Sequence, residues 1–275
     1  MKKTFQRPVK PARDRRPAHE PLERAAADKL YGVLPVLEVL RSGSRRIEKI
    51  LVAEGVRQHR LAEIFELARD KRIIVETVSR EKLVRAVGEE ANSQGIAAIV
   101  AAADYADADA VLDAAKHPAL FLILDGVEDP RNLGAILRTA ECSGVDGVFL
   151  PERRAVGLTE TVAKSSAGAI EHVKVAKVTN LNRLIDDLKE RNVWVVGSSG
   201  EAEMDYNAWD WTTPTALILG SEGRGLHRLV AENCDALVKI PMYGKIESLN
   251  VSVAAGVILF EAQRQRSAVN EPDPG

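Results

Sequence analysis

Five polar residues stand in three loops where apolar runs pass into helical patterns. They are Asn132 and Arg138 in "DGVEDPRNLGAILRTAECSG", Glu222 in "LILGSEGRGL", and Ser248 and Asn250 in "KIPMYGKIESLNVSVAAG". In alternating α/β chains, chemistry collects where strands end and helices begin. The first loop opens with an Asp129–Pro130 turn, and Asn132 suits a helix N-cap. Leu133, Ile136, Leu137 and Ala140 then share one apolar face, with Arg138 on the opposite one. Beside Arg138 lie Arg131, Gly134 and Ala135, and the two small residues leave room for a ligand to reach the guanidinium. A solvated surface arginine has the same spacing. The second loop sets Gly220, Gly223 and Gly225 around Glu222 like a phosphate cradle. It lacks the Lys-Ser/Thr ending of a P-loop and does not fit G-x-G-x-x-G, so a nucleoside triphosphate or NAD is weakly supported. Glu222 is free to accept hydrogen bonds from a nucleoside or to order the neighbouring loop, unless the stretch is only a permissive glycine turn. In the third loop Ser248 suits the N-cap of the apolar helix that follows. That does not account for Asn250, whose amide at the first turn of a buried helix must find partners or cost about 1–3 kcal/mol. A ligand would provide them.

Two alternating α/β segments carry these loops. The chain has 275 residues, 45% of them hydrophobic, and a net charge of −2, enough for a substantial core and no global signature of a polyanion partner. The charge is unevenly spread. Residues 1–16 hold Lys2, Lys3, Arg7, Lys10, Arg13, Arg15 and Arg16 against Asp14 alone, so a disordered basic tail over 1–27 that attracts nucleic acid is expected. A compact domain over 28–101 follows: a helix ending at Gly43, then strand, helix, strand, helix and the closing strand "GIAAIVAA". The Ala- and Asp-rich stretch 102–118 reads as a linker. Over 119–267 the runs "LFLILD", "VDGVFL", "VKVAKV", "VWVVGS", "TALILG" and "ALVKIP" alternate with helical segments, the pattern of a mostly parallel sheet buried on both faces. Residues 268–275 form a C-terminal tail. No apolar run reaches the roughly 18 residues of a membrane span, the N-terminus lacks the apolar centre of a secretory signal, and a cytoplasmic location is expected. Cys142 and Cys234 are too isolated for a disulfide framework, and the five histidines form no ligand spacing, so no metal is expected.

Together, "NLGAILRTA", "LGSEGRGL" and "IPMYGKIESLNVSVAAG" resemble the three consecutive motifs of the SpoU (TrmH) family of RNA ribose 2′-O-methyltransferases, within the SPOUT superfamily. The likeness spans about 118–267, and "KSSAGAIEHVKVAKVTNL" and "LFEAQRQRS" fit it as well. The first domain, with "LYGVLPVLEVL" at its start and "NSQGIAAIV" at its end, is similar to the L30e-like substrate-binding domain of the RlmB-type ribosomal branch. That branch methylates guanosine in the peptidyl-transferase loop of 23S rRNA. Where it commonly carries His before Gln-Gly, this chain has Ser93.

The resemblance implies a C-terminal trefoil knot, which general rules of chain connection would argue against. It implies S-adenosylmethionine (SAM) as cofactor, held around Gly197, Ser198, Leu219, Gly220, Ser221, Ile240 and Leu249. It implies a homodimer that acts on RNA, 23S rRNA in particular, and not on DNA, which has no 2′-hydroxyl. Asn132 and Arg138 would face the ribose, Glu222 would order the loops, and Ser248 and Asn250 would line the pocket where nucleoside and methyl donor meet. The reaction is an in-line displacement at an already activated methyl, so the enzyme must chiefly position and activate a weakly acidic hydroxyl. A neutral guanidine base at pH 7 would cost about 8 kcal/mol from a solution pKa near 13. A charged Arg138 that stabilises the developing alkoxide is the better expectation, with a phosphate oxygen or water taking the proton. The alternatives are a tRNA ribose methyltransferase of the same family and a non-catalytic RNA-binding relative.

Overall fold

The computed structural model describes residues 28–89 and 91–270. The basic stretch 1–16 and most of the C-terminal tail lie outside the described residues. The first domain is a four-stranded sheet in the order β1-β4-β2-β3: β1 (Asp28–Tyr31), β2 (Ile47–Ala53), β3 (Ile74–Val78) and β4 (Ile96–Val100). Only β2 and β3 run parallel. Helices α1 (Val33–Ser42), α2 (Ala62–Asp70) and α3 (Arg80–Val87) connect the strands. Helix α1 ends at Gly43, which takes the left-handed conformation a C-terminal glycine accepts without a Cβ penalty. The expected helix over residues 30–42 gives up its first two positions to β1. Gly32, with φ 98° and ψ 153°, breaks the chain between the two elements. The linker is not structureless, because Asp107 caps a short helix, α4 (Ala108–Asp113), through its side chain.

The second domain is a seven-stranded sheet whose pairings are all parallel. Its strands are β5 (Leu120–Asp125), β6 (Gly147–Pro151), β7 (Val175–Val178), β8 (Trp194–Ser198), β9 (Met204–Asp205), β10 (Thr215–Gly220) and β11 (Ala236–Lys239), in the order β7-β6-β5-β10-β8-β11-β9. Its helices are α5 (Pro130–Cys142), α6 (Glu160–Ser165), α7 (Leu181–Glu190), α8 (Arg228–Asn233) and α9 (Val251–Asn270). The central strands are apolar between their ends because each face is covered. From β5, Leu120, Leu122 and Leu124 pack with α5, α6 and α9, while Phe121 and Ile123 pack with α4 and α7 on the other side. Helix α9, about 30 Å long at 1.5 Å per residue, is fixed at its far end by Arg266. Its guanidinium donates to the carbonyl oxygens of Trp211, Pro118, Ala119 and Thr213 at 2.7–3.1 Å, near the starts of β5 and β10. The start of α9 is thereby held at the opposite, carboxyl ends of the same strands. No described helix is long and apolar enough to cross a membrane.

The two domains are docked by a buried ion pair. Arg45, its side chain 5% exposed, bonds both carboxylate oxygens of Glu171, 1% exposed, and the Ser44 hydroxyl donates to the same carboxylate. His172 Nε2 meets Glu38 at 2.9 Å, and the Lys29 amide donates to Glu160 at 2.9 Å. Gly168 permits the close approach, since a Cβ there would lie 2.6 Å from Glu38 Cγ. Removing one member of a buried pair leaves an uncompensated charge, which typically costs about 3–5 kcal/mol. Glu171→Ala is accordingly expected to destabilise the protein by about that amount in urea denaturation. Joint replacement of Arg45 and Glu171 by apolar residues of similar volume should cost much less. Equal losses for the two variants would show that the pair is not what holds the interface.

Candidate functional site

The three loops converge at the carboxyl ends of the parallel strands. Gly220, the last residue of β10, pairs in register with Asp125, the last of β5. From the loop after β10, Glu222 reaches α5 and the start of α9 together. Its Oε1 accepts from Asn132 Nδ2 at 2.9 Å and from Asn250 Nδ2 at 2.6 Å, and Asn250 Nδ2 also lies 3.1 Å from Asn132 Oδ1. One carboxylate thus locks two amides from helices on opposite sides of its loop, and Asn250 finds its partners within the chain.

Two cap assignments differ from expectation. The N-cap of α5 is Asp129, whose Oδ1 accepts from the Arg131 amide at 2.7 Å, with Pro130 in the first helical position and Asn132 inside the first turn. The residue that caps α9 is Asn250 and not Ser248: its Oδ1 accepts from the Ser252 amide at 2.9 Å and from the Ser252 hydroxyl at 2.5 Å. Asn250 is exposed, not buried in the helix, so its amide has water within reach as well. Ser248 lies two residues upstream on an exposed strand of chain, free of the helix and facing the cavities described below.

Arg138 lies on the exposed face of α5, away from Leu133, Ile136, Leu137 and Ala140, all fully buried. It does not join the Asn132–Glu222–Asn250 cluster and makes no ion pair with any described residue. The space expected beside it is partly taken. Gly134 is small because α6 packs there, and a Cβ would lie 2.7 Å from Ser165 Cβ and 2.9 Å from the Ser166 nitrogen.

A cavity of about 460 Å³ opens between the ends of β8 and β10 and the start of α9. Ser198, Leu219, Gly220, Ser221, Ser248 and Leu249 line it. An adjoining cavity of about 670 Å³ shares Ser198, Ser248 and Leu249 and adds Ile240. Gly197, expected beside the cofactor, lines neither cavity; it is small because a Cβ would lie 2.7 Å from Leu226 Cδ1 and 2.9 Å from Cys234 Sγ. Burial pushes the Cys234 thiol up to about 12, and its Sγ donates to the Val230 carbonyl oxygen, so it is inert wall material. Leucine and isoleucine side chains, serine hydroxyls and backbone exposed at a glycine form a lining suited to a nucleoside carrying a short aliphatic arm, and SAM fits that description.

On the other side of Glu222 lies a cavity of about 370 Å³, bordered by Asn132, Glu222, Arg154, Arg224 and His227. Sequence reasoning did not single out the last three. Nor did it single out Asp125, 4% exposed, whose carboxylate accepts from the His227 amide and meets His227 Nδ1, both at 2.8 Å. The usable signal was an acid closing an otherwise fully apolar strand, "LFLILD".

Comparison with known proteins gives this arrangement its family. Residues 119–260 match the sequence model of the SpoU rRNA Methylase family, and residues 29–106 match that of the RNA 2′-O ribose methyltransferase substrate-binding domain. YacO of Bacillus subtilis (strain 168), named for the TrmH family of tRNA/rRNA methyltransferases, is 47% identical over 247 residues, 89% of this chain and 98% of that one. The crystal structure of the SpoU methyltransferase AviRb from Streptomyces viridochromogenes in complex with AdoMet is similar with a TM-score of 0.74 and 25% identity. That match covers 87% of this chain and 90% of that one. The A. aeolicus TrmH/SpoU tRNA modifying enzyme is 33% identical, with a TM-score of 0.52, over 56% of this chain and 79% of its own. With both domains matched and the loops gathered around a nucleoside-sized cavity, the chain belongs to the SpoU/TrmH family and is a SAM-dependent RNA methyltransferase.

Proposed function

We propose that the protein methylates the ribose 2′-hydroxyl of a guanosine in the peptidyl-transferase loop of 23S rRNA, and that it does so as a homodimer. The observation that carries the ribosomal substrate is the first domain. The tRNA modifying relative aligns with little more than half of this chain, whereas residues 29–106 match a dedicated substrate-binding domain rigidly docked on the catalytic one. SAM would supply a methyl group already activated on a sulfonium. Gly220, Ser221, Leu219, Leu249 and Ile240 would hold it, with Ser198 beside it and Gly197 one residue back along β8. Glu222 fixes Asn132 and Asn250 at the edge of the space an incoming ribose would enter, and Ser248 borders the same space.

The dimer is supported by apolar surface that none of the described residues covers. Tyr243 is 95% exposed and Ile246 75% in the segment before α9, and Val253 and Phe260 are exposed on α9 itself. Arg138 borders that face, since the following residue, Thr139, meets α9 at Gly256. A partner subunit packed there would bring its own loops to Arg138, which explains why Arg138 stands apart from the cluster within one chain. The segment 240–250, which leads from β11 into α9, is where the family's trefoil knot would be threaded.

Tritiated SAM offered with 23S rRNA, with total tRNA and with neither tests the substrate. Label confined to 23S rRNA, and lost when the acceptor guanosine is made 2′-deoxy, is expected. Label in tRNA alone overturns the ribosomal assignment.

A further inference from the structure

A cleft of about 820 Å³ lies between the two domains, outside the methyl-transfer site. The substrate-binding domain contributes Tyr31, at the end of β1, and Val87 and Ala91, from the end of α3 and the loop after it. The catalytic domain contributes Arg131 from α5 and Thr161 and Lys164 from α6. Lys164 Nζ sits 4.7 Å from the centroid of the Tyr31 ring. Neither Arg131 nor Lys164 is ion-paired with any described residue, although Glu89 stands at the rim of the same cleft.

Arg131 and Asn132 are consecutive on α5, so they point about 100° apart around the helix. Asn132 turns toward Glu222, 2.9 Å away, and Arg131 turns into the cleft. The cleft therefore begins one residue from the methyl-transfer cluster. Its walls belong to different domains but are set before anything binds. The Arg45–Glu171 pair, the Lys29–Glu160 bond and the Glu38–His172 contact all bridge the two sides. A ligand entering there does not have to meet the cost of docking the domains.

Two cations with no carboxylate partner among the described residues, a hydroxyl, an aromatic ring and a short apolar rim match the parts of a nucleotide. Arg and Lys take phosphate, and an aromatic ring with an apolar edge takes an unstacked base. We propose that this inter-domain cleft seats a single-stranded nucleotide flanking the methylated one. Its phosphate lies between Arg131 and Lys164, and its base lies against Tyr31. Sequence-reading proteins meet RNA mainly where bases are splayed from the helix and can stack on aromatic side chains. A base seated between the domains would set the register that brings the acceptor ribose to Asn132. This rests on the enzyme's acting on RNA and is independent of which RNA it modifies.

Binding measured without SAM separates the proposal from the choice of substrate. The probes are a fluorescein-labelled single-stranded oligoribonucleotide of mixed sequence and an RNA duplex of the same length, followed by anisotropy across a salt series. Arg131→Ala and Lys164→Ala are each expected to weaken single-strand binding about tenfold. The slope of log affinity against log salt should fall by about 0.7 for each, and by about 1.4 in the double variant. Tyr31→Leu should weaken single-strand binding about tenfold, and Tyr31→Phe, which keeps the ring, should restore it. SAM affinity by calorimetry should match wild type in all five variants. Unchanged affinity and slope in the double variant overturn the proposal, as does failure of the wild-type protein to bind the oligoribonucleotide. An equal loss of duplex binding on Tyr31→Leu overturns the stacked base. A protein that binds RNA as expected here but transfers no methyl to 23S rRNA would refute the ribosomal assignment and leave the cleft standing.

Discussion

Arg138→Ala is expected to slow single-turnover methyl transfer by at least about 100-fold, ~2.7 kcal/mol, with SAM affinity and thermal stability close to wild type. The magnitude is that of losing one preorganised group that meets developing charge in the transition state. The lack of collateral damage follows from where the residue sits. Arg138 is exposed on α5, its removal opens no space among Leu133, Ile136, Leu137 and Ala140, and it breaks no ion pair with a described residue. The cavity proposed for the donor, at Gly220, Ser221 and Leu249, is lined by no residue of α5. Arg138→Lys keeps a charge but loses the planar fork that can hold a phosphate and an alkoxide together, so most of the activity should go with it. The proposed dimer adds a sharper test. If each site combines Arg138 of one subunit with Asn250 of the other, dimers mixed from Arg138→Ala and Asn250→Ala chains regain one intact site per heterodimer, about a quarter of wild-type activity for random pairing. If the two residues serve the site from one chain, the mixture stays inactive. Near wild-type transfer by Arg138→Ala at saturating RNA and SAM would make it an ordinary surface arginine.

The sheet was legible because parallel strands covered on both faces must be apolar along their middle, and β5 and β10 are, with only Asp125 at the end of one and Thr215 at the start of the other departing from it. β1 was not. Its four residues run straight into the apolar pattern of α1, and the break comes from the backbone of Gly32, which no periodicity reveals. α4 was hidden by its composition: Val111 and Leu112 are its buried residues amid alanine and aspartate. The cap errors share one cause. Asp129 and Asn132, like Ser248, Asn250 and Ser252, can all cap, and local chemistry does not choose among them. Tertiary demand chooses, because Asn132 is claimed by Glu222 and Ser248 is left on the exposed approach to the cavity. Gly134 shows the same limit, a small residue that reads equally as room for a ligand or room for a neighbouring helix. The cluster of Asn132, Glu222 and Asn250 was legible only as three separate motifs, since their meeting depends on Arg266 holding α9 in place from its far end.

Gly220→Ala is expected to cost at least about 100-fold in SAM affinity, ~2.7 kcal/mol at 1.36 kcal/mol per decade, and to lower stability by about 1–3 kcal/mol, the usual range for overpacking. A Cβ at this position would overlap the carbonyl carbon and oxygen of Gly225 and the nitrogen of Leu226. These are backbone atoms, so no change of rotamer relieves the clash. Nor can the loop step aside cheaply, because Ser221 and Gly225 exchange amide-to-carbonyl bonds of 3.0 Å in both directions. On the other side, Gly220 is held by its register with Asp125, whose carboxylate is already committed to His227. What must move is the stretch 221–226, and Glu222 moves with it. Its bonds to Asn132 and Asn250 lengthen, so the wall of the donor cavity and the clamp on the ribose side are lost through one methyl group. The variant should remain folded enough to test, since the 28–101 domain is untouched and α9 is still anchored by Arg266. Calorimetry with SAM and urea denaturation on the same preparation separate the two losses. A Gly220→Ala protein that loses stability as expected but binds SAM with wild-type affinity would move the donor away from the end of β10, and with it the assignment of Leu219, Gly220 and Ser221.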